Sequence, residues 1–329
     1  MRRVFLILSL LAVVALGGAV GTWQWLKADY QVDGPLVVPA TVIIHKGANT
    51  IEIATRLRQA GVISDTKLFG WGLRIFADAK PLRAGEYVFR PAMSLAQVIA
   101  HLQTGKTVIR KVTIAEGLSN LEITELLANT RGLHGLLGAL PAEGQLLPET
   151  YHFSYGDSRT GLVIRMRQAM TRLLTEAWPN RGGDLPLKTP AEALVLASIV
   201  EKETGVASER RRVAGVFINR LRIGMRLQSD PTVIFGITKG REPLGRSITK
   251  SDLRTETAYN TYVIKGLPPG PITNPGRAAI LAVLNPADTK ELYFVATGSG
   301  GHAFARTLRE HNRNVAQWRK IERARKKAN

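Results

Sequence analysis

One charge-free run constrains this chain before anything else does. After Met1-Arg2-Arg3, no charged side chain occurs from Val4 to Leu26, which reaches the ~20 residues a helix needs to cross a hydrocarbon core. Trp23 and Trp25 sit where an interfacial aromatic belt would fall. Ala19-Val20-Gly21 only loosely matches a small-residue cleavage site, and the run is long for a signal peptide. The sequence therefore predicts an uncleaved single-pass anchor over 4–26, with a cytoplasmic N-terminus at 1–3 and a linker at 27–40. Two arginines ahead of the span keep that end inside and place the remaining domains outside, in the periplasm of a bacterial inner membrane.

Export changes how the charge is read. With 45 Lys and Arg against 26 Asp and Glu, the chain carries a formal +19. Inside a cell this would suggest nucleic acid. Outside the inner membrane the available polyanions are lipid headgroups and the carboxylates of the wall, so no nucleic-acid partner is expected. The basic residues are scattered and concentrate only in a tail at 312–329. There is no cysteine, and the six histidines show no close ligand spacing, so no disulfide, metal site or cofactor is predicted. "QTGKTV" has Ala100 where the first glycine of a phosphate loop belongs, and no G-x-S-x-G elbow occurs.

A repeat follows the anchor. Ile44, Gly47, Ile51, Glu52, Ile53 and Leu57 recur 70 residues later as Ile114, Gly117, Leu121, Glu122, Ile123 and Leu127. Each copy reads as a short strand, a glycine turn and an amphipathic helix. After the first copy, "LRAGEYVF" is a second strand, and "SLAQVIAHLQTG" is a helix with a Ser94–Gln97 capping box and Gly105 as its stop. Residues 41–106 resemble a LysM-like glycan-binding module. Residues 107–184 hold the second copy and a connecting region.

Thr189-Pro190-Ala191-Glu192 combines an N-cap, a first-turn proline and a capping-box Glu, so a helix is predicted from Pro190 towards Thr204. Leu196, Ile199 or Val200, and Glu203 share one face of it. Glu203 thus extends the apolar stripe, where burial and the helix C-terminal carbonyls both favour its protonated form. A carboxyl that keeps its proton near neutrality suits general-acid cleavage of a glycosidic bond. Glu201 points about 160° away and is assigned no catalytic role. "SERRRVAGVFINRLR" is a second helix. Gln228, Asp230 and Thr232 are placed in a turn fixed by Pro231, and Tyr259, Asn260 and Tyr262 precede a Pro/Gly loop. These side chains suit the ring faces and hydroxyls of an oligosaccharide. "ELYFVATGSGGHAFAR" reads as a strand pair joined by a glycine turn.

"ASIVEKET", "ASERRRVAGVFINRLRIGMRLQSDPTVIFG", "YNTYVIKGLPPGPITNPG" and "LYFVATGSGGHAF" together closely resemble the YceG-like endolytic murein transglycosylases. The likeness covers nearly the whole chain. It implies an α+β protein with an N-terminal transmembrane helix, a LysM-like α+β module and a C-terminal α+β catalytic domain at 185–311. It further implies cleavage of the MurNAc–GlcNAc bond within nascent peptidoglycan strands, leaving 1,6-anhydro ends and terminating elongation, with peptidoglycan synthases as candidate partners. The family's catalytic acid falls on Glu203, in agreement with the helix argument, and Asn274 and His302 join the substrate-binding set. The family's "EGYLFPDTY"-like segment reads "EGQLLPETY" here, with Gln145 and Leu147 in place of two of its aromatic residues and Tyr151 kept. Two other functions fit the same residues: a muramidase-type hydrolase with Asp230 or Glu201 as second carboxylate, and a non-catalytic wall-binding scaffold.

Overall fold

The computed structural model describes residues 2–328; Met1 and Asn329, the outermost residues of the expected cytoplasmic head and basic tail, lie outside the described residues. The chain forms two compact units. One comprises Met1–Arg110, Gly132–His134 and His152–Asp157; the other comprises Lys111–Arg131, Gly135–Tyr151 and Ser158–Asn329.

In the first unit, helix α1 (Arg2–Gln31) carries the charge-free run. Phe5, Leu11 and Leu16 on it are all more than half exposed, with nothing among the described residues to cover them. The helix does not stop at Leu26. Lys27-Ala28-Asp29-Tyr30 continues it, and Tyr30 is buried in the core of the following module. The expected linker is therefore shorter, because its first residues are held in a helix by packing. Gly72 makes room for this contact: a Cβ there would come 2.9 Å from the Tyr30 ring.

Strand β1 (Ala40–Ile44), α2 (Thr50–Gln59), α3 (Thr66–Ile75) and β2 (Gly85–Phe89) follow, with β1 and β2 antiparallel and Val42 opposite Tyr87. Helix α4 (Leu95–Thr104) has the predicted reciprocal Ser94–Gln97 capping box and a left-handed Gly105 at its end. Phe69, Tyr87, Phe89, Val98 and Leu102 are fully buried between these elements.

Short strands β3 (Ile109–Thr113), β4 (Leu133–His134), β5 (Thr150–Ser154) and β6 (Asp157–Ser158) pair as β3–β5 and β4–β6, with α5 (Asn120–Asn129) after β3. The second copy of the repeat keeps the first copy's helix start: Asn49 caps α2, and Ser119, 70 residues on, caps α5.

The second unit continues through α6 (Arg159–Ala177), α7 (Pro190–Glu203), α8 (Arg210–Arg222), α9 (Asp230–Thr238) and α10 (Arg277–Leu284). It ends with the antiparallel hairpin β7 (Tyr293–Ala296) and β8 (His302–Ala305), then α11 (Leu308–Ala328). Thr189 and Pro190 start α7 as predicted, and Thr204 caps its end. The apolar-stripe reading of this helix is corrected. Every residue from Ala193 to Val200 is buried, because α8, α9 and α10 all pack on α7. Helices stand at the expected turn and along the basic tail. Pro231 sits in the first turn of α9, where its missing N–H costs no hydrogen bond, so the expected turn at 228–232 is a helix start. The basic tail is the body of α11, and Trp318 and Ile321 on it pack beside Gly298 of the hairpin turn.

Candidate active site

Because α7 is buried all round, both carboxylates at its C-terminal end are drawn into the protein, on opposite sides. Glu201 is half-buried and accepts a 2.8 Å hydrogen bond from the Gly276 N–H, at the N-terminus of α10. Burial pushes its carboxyl up, that hydrogen bond opposes, and Glu116 adds to the rise. Its place is thus a helix-terminus contact, where negative charge is favourable.

Glu203 faces a different set of groups. It is the last residue of α7 and remains partly exposed. Its Oε1 accepts a 2.5 Å hydrogen bond from the Ser229 hydroxyl. Ser229 is itself buried and fixed on every side: its N–H donates to Thr261 Oγ1 at 2.9 Å, and its carbonyl accepts from Thr232 Oγ1 at 2.6 Å. Burial is the dominant influence on Glu203 and raises its pKa to about 7. The Ser229 bond opposes that rise, Asp230 reinforces it, and His302 and Arg220 oppose it. Lys202 acts on Glu201, where it opposes the rise in pKa.

Arg220 lies on the apolar face of α8 with Val213, Val216 and Phe217. Its guanidinium is buried and is held by the carbonyls of Leu292, at 2.7 Å, and Leu227. Burial works against its charge, while Tyr293 and Glu203 support it. A cation is thereby placed to receive the carboxylate form of Glu203 without closing a salt bridge on it.

The residues predicted to bind substrate divide into two groups. Asp230, Tyr262 and His302 gather around Glu203. The Tyr262 hydroxyl donates to Asp230 Oδ1 at 2.6 Å, and burial, then Asp230, raises the phenol's pKa. His302 is oriented by Glu209, whose two oxygens meet the imidazole Nδ1 at 2.7 Å and the His302 N–H at 3.0 Å. Burial acts upward on Glu209, but these His302 contacts bring its pKa down. Gln228 is exposed just before Ser229, in a left-handed backbone conformation. Tyr259 is half-buried against Phe235, with ring centroids 4.8 Å apart.

Thr232, Asn260 and Asn274 form the second group. All three are fully buried with their polar atoms already engaged, so they hold loops rather than face a groove. Thr232 bonds Ser229 and Thr261. Asn260 Nδ2 donates to the carbonyls of Asp252, Leu253 and Thr255. Asn274 accepts from the Leu146 N–H and donates to Leu118 O and Asn120 Oδ1. This ties the "ITNPG" loop to the second repeat copy and to "EGQLLPETY". Within that segment Leu146 and Leu147 are buried core residues, so aliphatic side chains serve there. Glu143 begins the segment; burial raises its pKa to about 7 against the Asn120 N–H that binds it. Among the described residues no group of three or more His, Asp or Glu is arranged to hold a metal ion.

Sequence reasoning passed over Ser229, Arg220 and Glu209. Arg220 did leave a signal, a lone charge at the i+7 position of the Val213–Val216–Phe217 stripe. Glu209 left none, since its partner is 93 residues away.

A family model described as YceG-like matches residues 42–317. The chain belongs to the YceG-like family. Among the family's relatives, the endolytic murein transglycosylase of Bacillus subtilis is 28% identical over 91% of this chain and 89% of its own length. That of Streptococcus pneumoniae serotype 2 is 29% identical over 94% of this chain, which spans only 64% of that longer protein. A crystal structure of a yceG-like protein from Listeria monocytogenes superposes with a TM-score of 0.51 at 30% identity, covering 84% of this chain and 98% of the Listeria chain.

Proposed function

We propose that the chain is an endolytic murein transglycosylase, anchored in the inner membrane by α1 with its remaining domains in the periplasm. The observation that carries the chemistry is Glu203: a partly exposed carboxyl with a pKa near 7, gripped on one oxygen by Ser229. At neutral pH both its acid and its carboxylate forms are accessible, which a residue used twice requires. The acid form protonates the bridging oxygen as the MurNAc C1–O bond breaks. The resulting carboxylate takes the proton from the muramoyl C6 hydroxyl as that oxygen bonds to C1. The catalyst is regenerated, and one strand end carries the 1,6-anhydro ring. Arg220 favours the carboxylate between the two steps. Asp230, Tyr262, His302 and Gln228 are the side chains offered to the sugars.

The strand–helix–helix–strand order of β1, α2, α3 and β2, with antiparallel outer strands, supports a LysM-like, glycan-holding role for that module. The deciding experiment is mass spectrometry of glycan strands digested by the purified protein. Anhydro ends are expected. Reducing ends would make it a hydrolase, and uncut strands a scaffold.

A further inference from the structure

We infer that α3 is a membrane-contacting helix, its outer face seated in the lipid headgroup region beside the end of α1. The inference rests on the anchor reading of α1 and adds to it a second surface.

Depth is the first argument. The charge-free run from Val4 to Leu26 spans about 34 Å as a helix, against a hydrocarbon core of ~30 Å, so its outer boundary falls near Trp23. Phe76, immediately after α3, packs on Trp23 with ring centroids 5.1 Å apart, and on Tyr30 at the same separation. The end of α3 is thereby held between the levels of Trp23 and Tyr30, which lie about 10 Å apart along α1, within the headgroup layer that borders the aromatic belt. Any bilayer that holds Trp23 at its interface reaches Phe76 as well.

Composition is the second. The face of α3 that the core leaves uncovered carries Lys67, Trp71, Arg74 and Ile75, at i, i+4, i+7 and i+8. Trp71 is 48% exposed and Ile75 44%. The opposite face, Leu68, Phe69 and Gly72, is buried in the module. A large aromatic and a branched aliphatic flanked by two long cationic side chains is what an interfacial helix presents: apolar groups enter the acyl boundary while Lys and Arg extend to the phosphates. Lys27, exposed one turn beyond Trp23 on α1, adds a third cation near that level. Anionic phospholipid is the partner this charge fits.

The absence of native cysteine makes a clean test possible. Single cysteines replacing Trp71, Ile75 and Leu11 are spin-labelled in the full chain, reconstituted in vesicles of phosphatidylethanolamine with phosphatidylglycerol. Oxygen and a water-soluble nickel complex then report depth. The label at 11 is expected deep in the acyl region, and those at 71 and 75 in the headgroup region, with nickel access several-fold below that of free label. In the 75-labelled protein, Trp71→Asp should restore nickel access. Labels at 71 and 75 as accessible as free label, with 11 still in lipid, would overturn this inference and leave the anchor intact. A label at 11 that is itself accessible would overturn both.

Discussion

Ser229→Ala isolates how the protein sets the acidity of Glu203. The hydroxyl donates to Oε1 at 2.5 Å and opposes the upward push of burial. A hydrogen bond to a charged group contributes ~1.5–3 kcal/mol, and 1.36 kcal/mol corresponds to one pH unit. Losing the bond should therefore raise the Glu203 pKa from about 7 by about 1 to 2 pH units. In the mechanism proposed above, cleavage begins from the protonated carboxyl, so the alkaline limb of the kcat/KM profile should report this group in the free enzyme. That limb should move to higher pH by the same amount in the variant. The assay is anhydromuropeptide release across a pH series, with thermal melting to confirm folding. An alkaline limb that stays in place, or moves to lower pH, in a folded Ser229→Ala protein would refute the assignment of Ser229 as the residue tuning Glu203.

Three further outcomes follow from the same geometry. Glu203→Gln should abolish cleavage, a loss at or beyond the top of the ~10²–10⁴-fold range of general acid–base catalysis. Its stability effect should depend on pH: a pKa raised from 4.5 to about 7 on folding gives stability that is complete below 4.5 and lost as pH rises through 7. The Tm gain of the Gln variant over wild type should accordingly be larger at pH 8 than at pH 5, and equal gains would count against the raised pKa. Glu201→Gln should keep most activity, since Gln can still accept the Gly276 N–H; because burial outweighs that bond and raises the carboxyl's pKa, removing the charge should leave stability at neutral pH unchanged or higher, and a clear loss in denaturant melting would count against that balance. Gly72→Val should destabilise the first unit by ~1–3 kcal/mol through overpacking against Tyr30, and an unchanged melt would show that the α1 contact is dispensable.

What was legible in the sequence was local. The Thr189-Pro190 start of α7, the Ser94–Gln97 box and the β7–β8 hairpin are each specified within a few residues, and each stands where expected. What was not legible depended on tertiary packing. A proline signals a turn or a first helical turn equally well, and the burial of Val233 and Phe235 selects the helix at Pro231. Asn260 and Asn274 have the chemistry of sugar ligands, but the loops around them consume every donor they offer. The burial of Glu203 was foreshadowed by the apolar run that leads into it. The hydroxyl that grips it lies 26 residues downstream, with nothing in between to signal the contact.

The division into two units has a consequence for how this protein can change over time. The chain does not finish one unit before starting the other: after Arg110 it leaves the first unit, revisits it at Gly132–His134, and again at His152–Asp157. Leu133 and Phe153, on those two excursions, are buried. A recombination joint placed near residue 110 would therefore exchange the front module without the two short segments that belong with it. The substitutable block is three pieces of sequence, not one. Another front module could be joined to the second unit only with matching changes at both excursions, so the front segment is expected to diverge by point substitution in step with residues 132–134 and 152–157, and not by wholesale replacement.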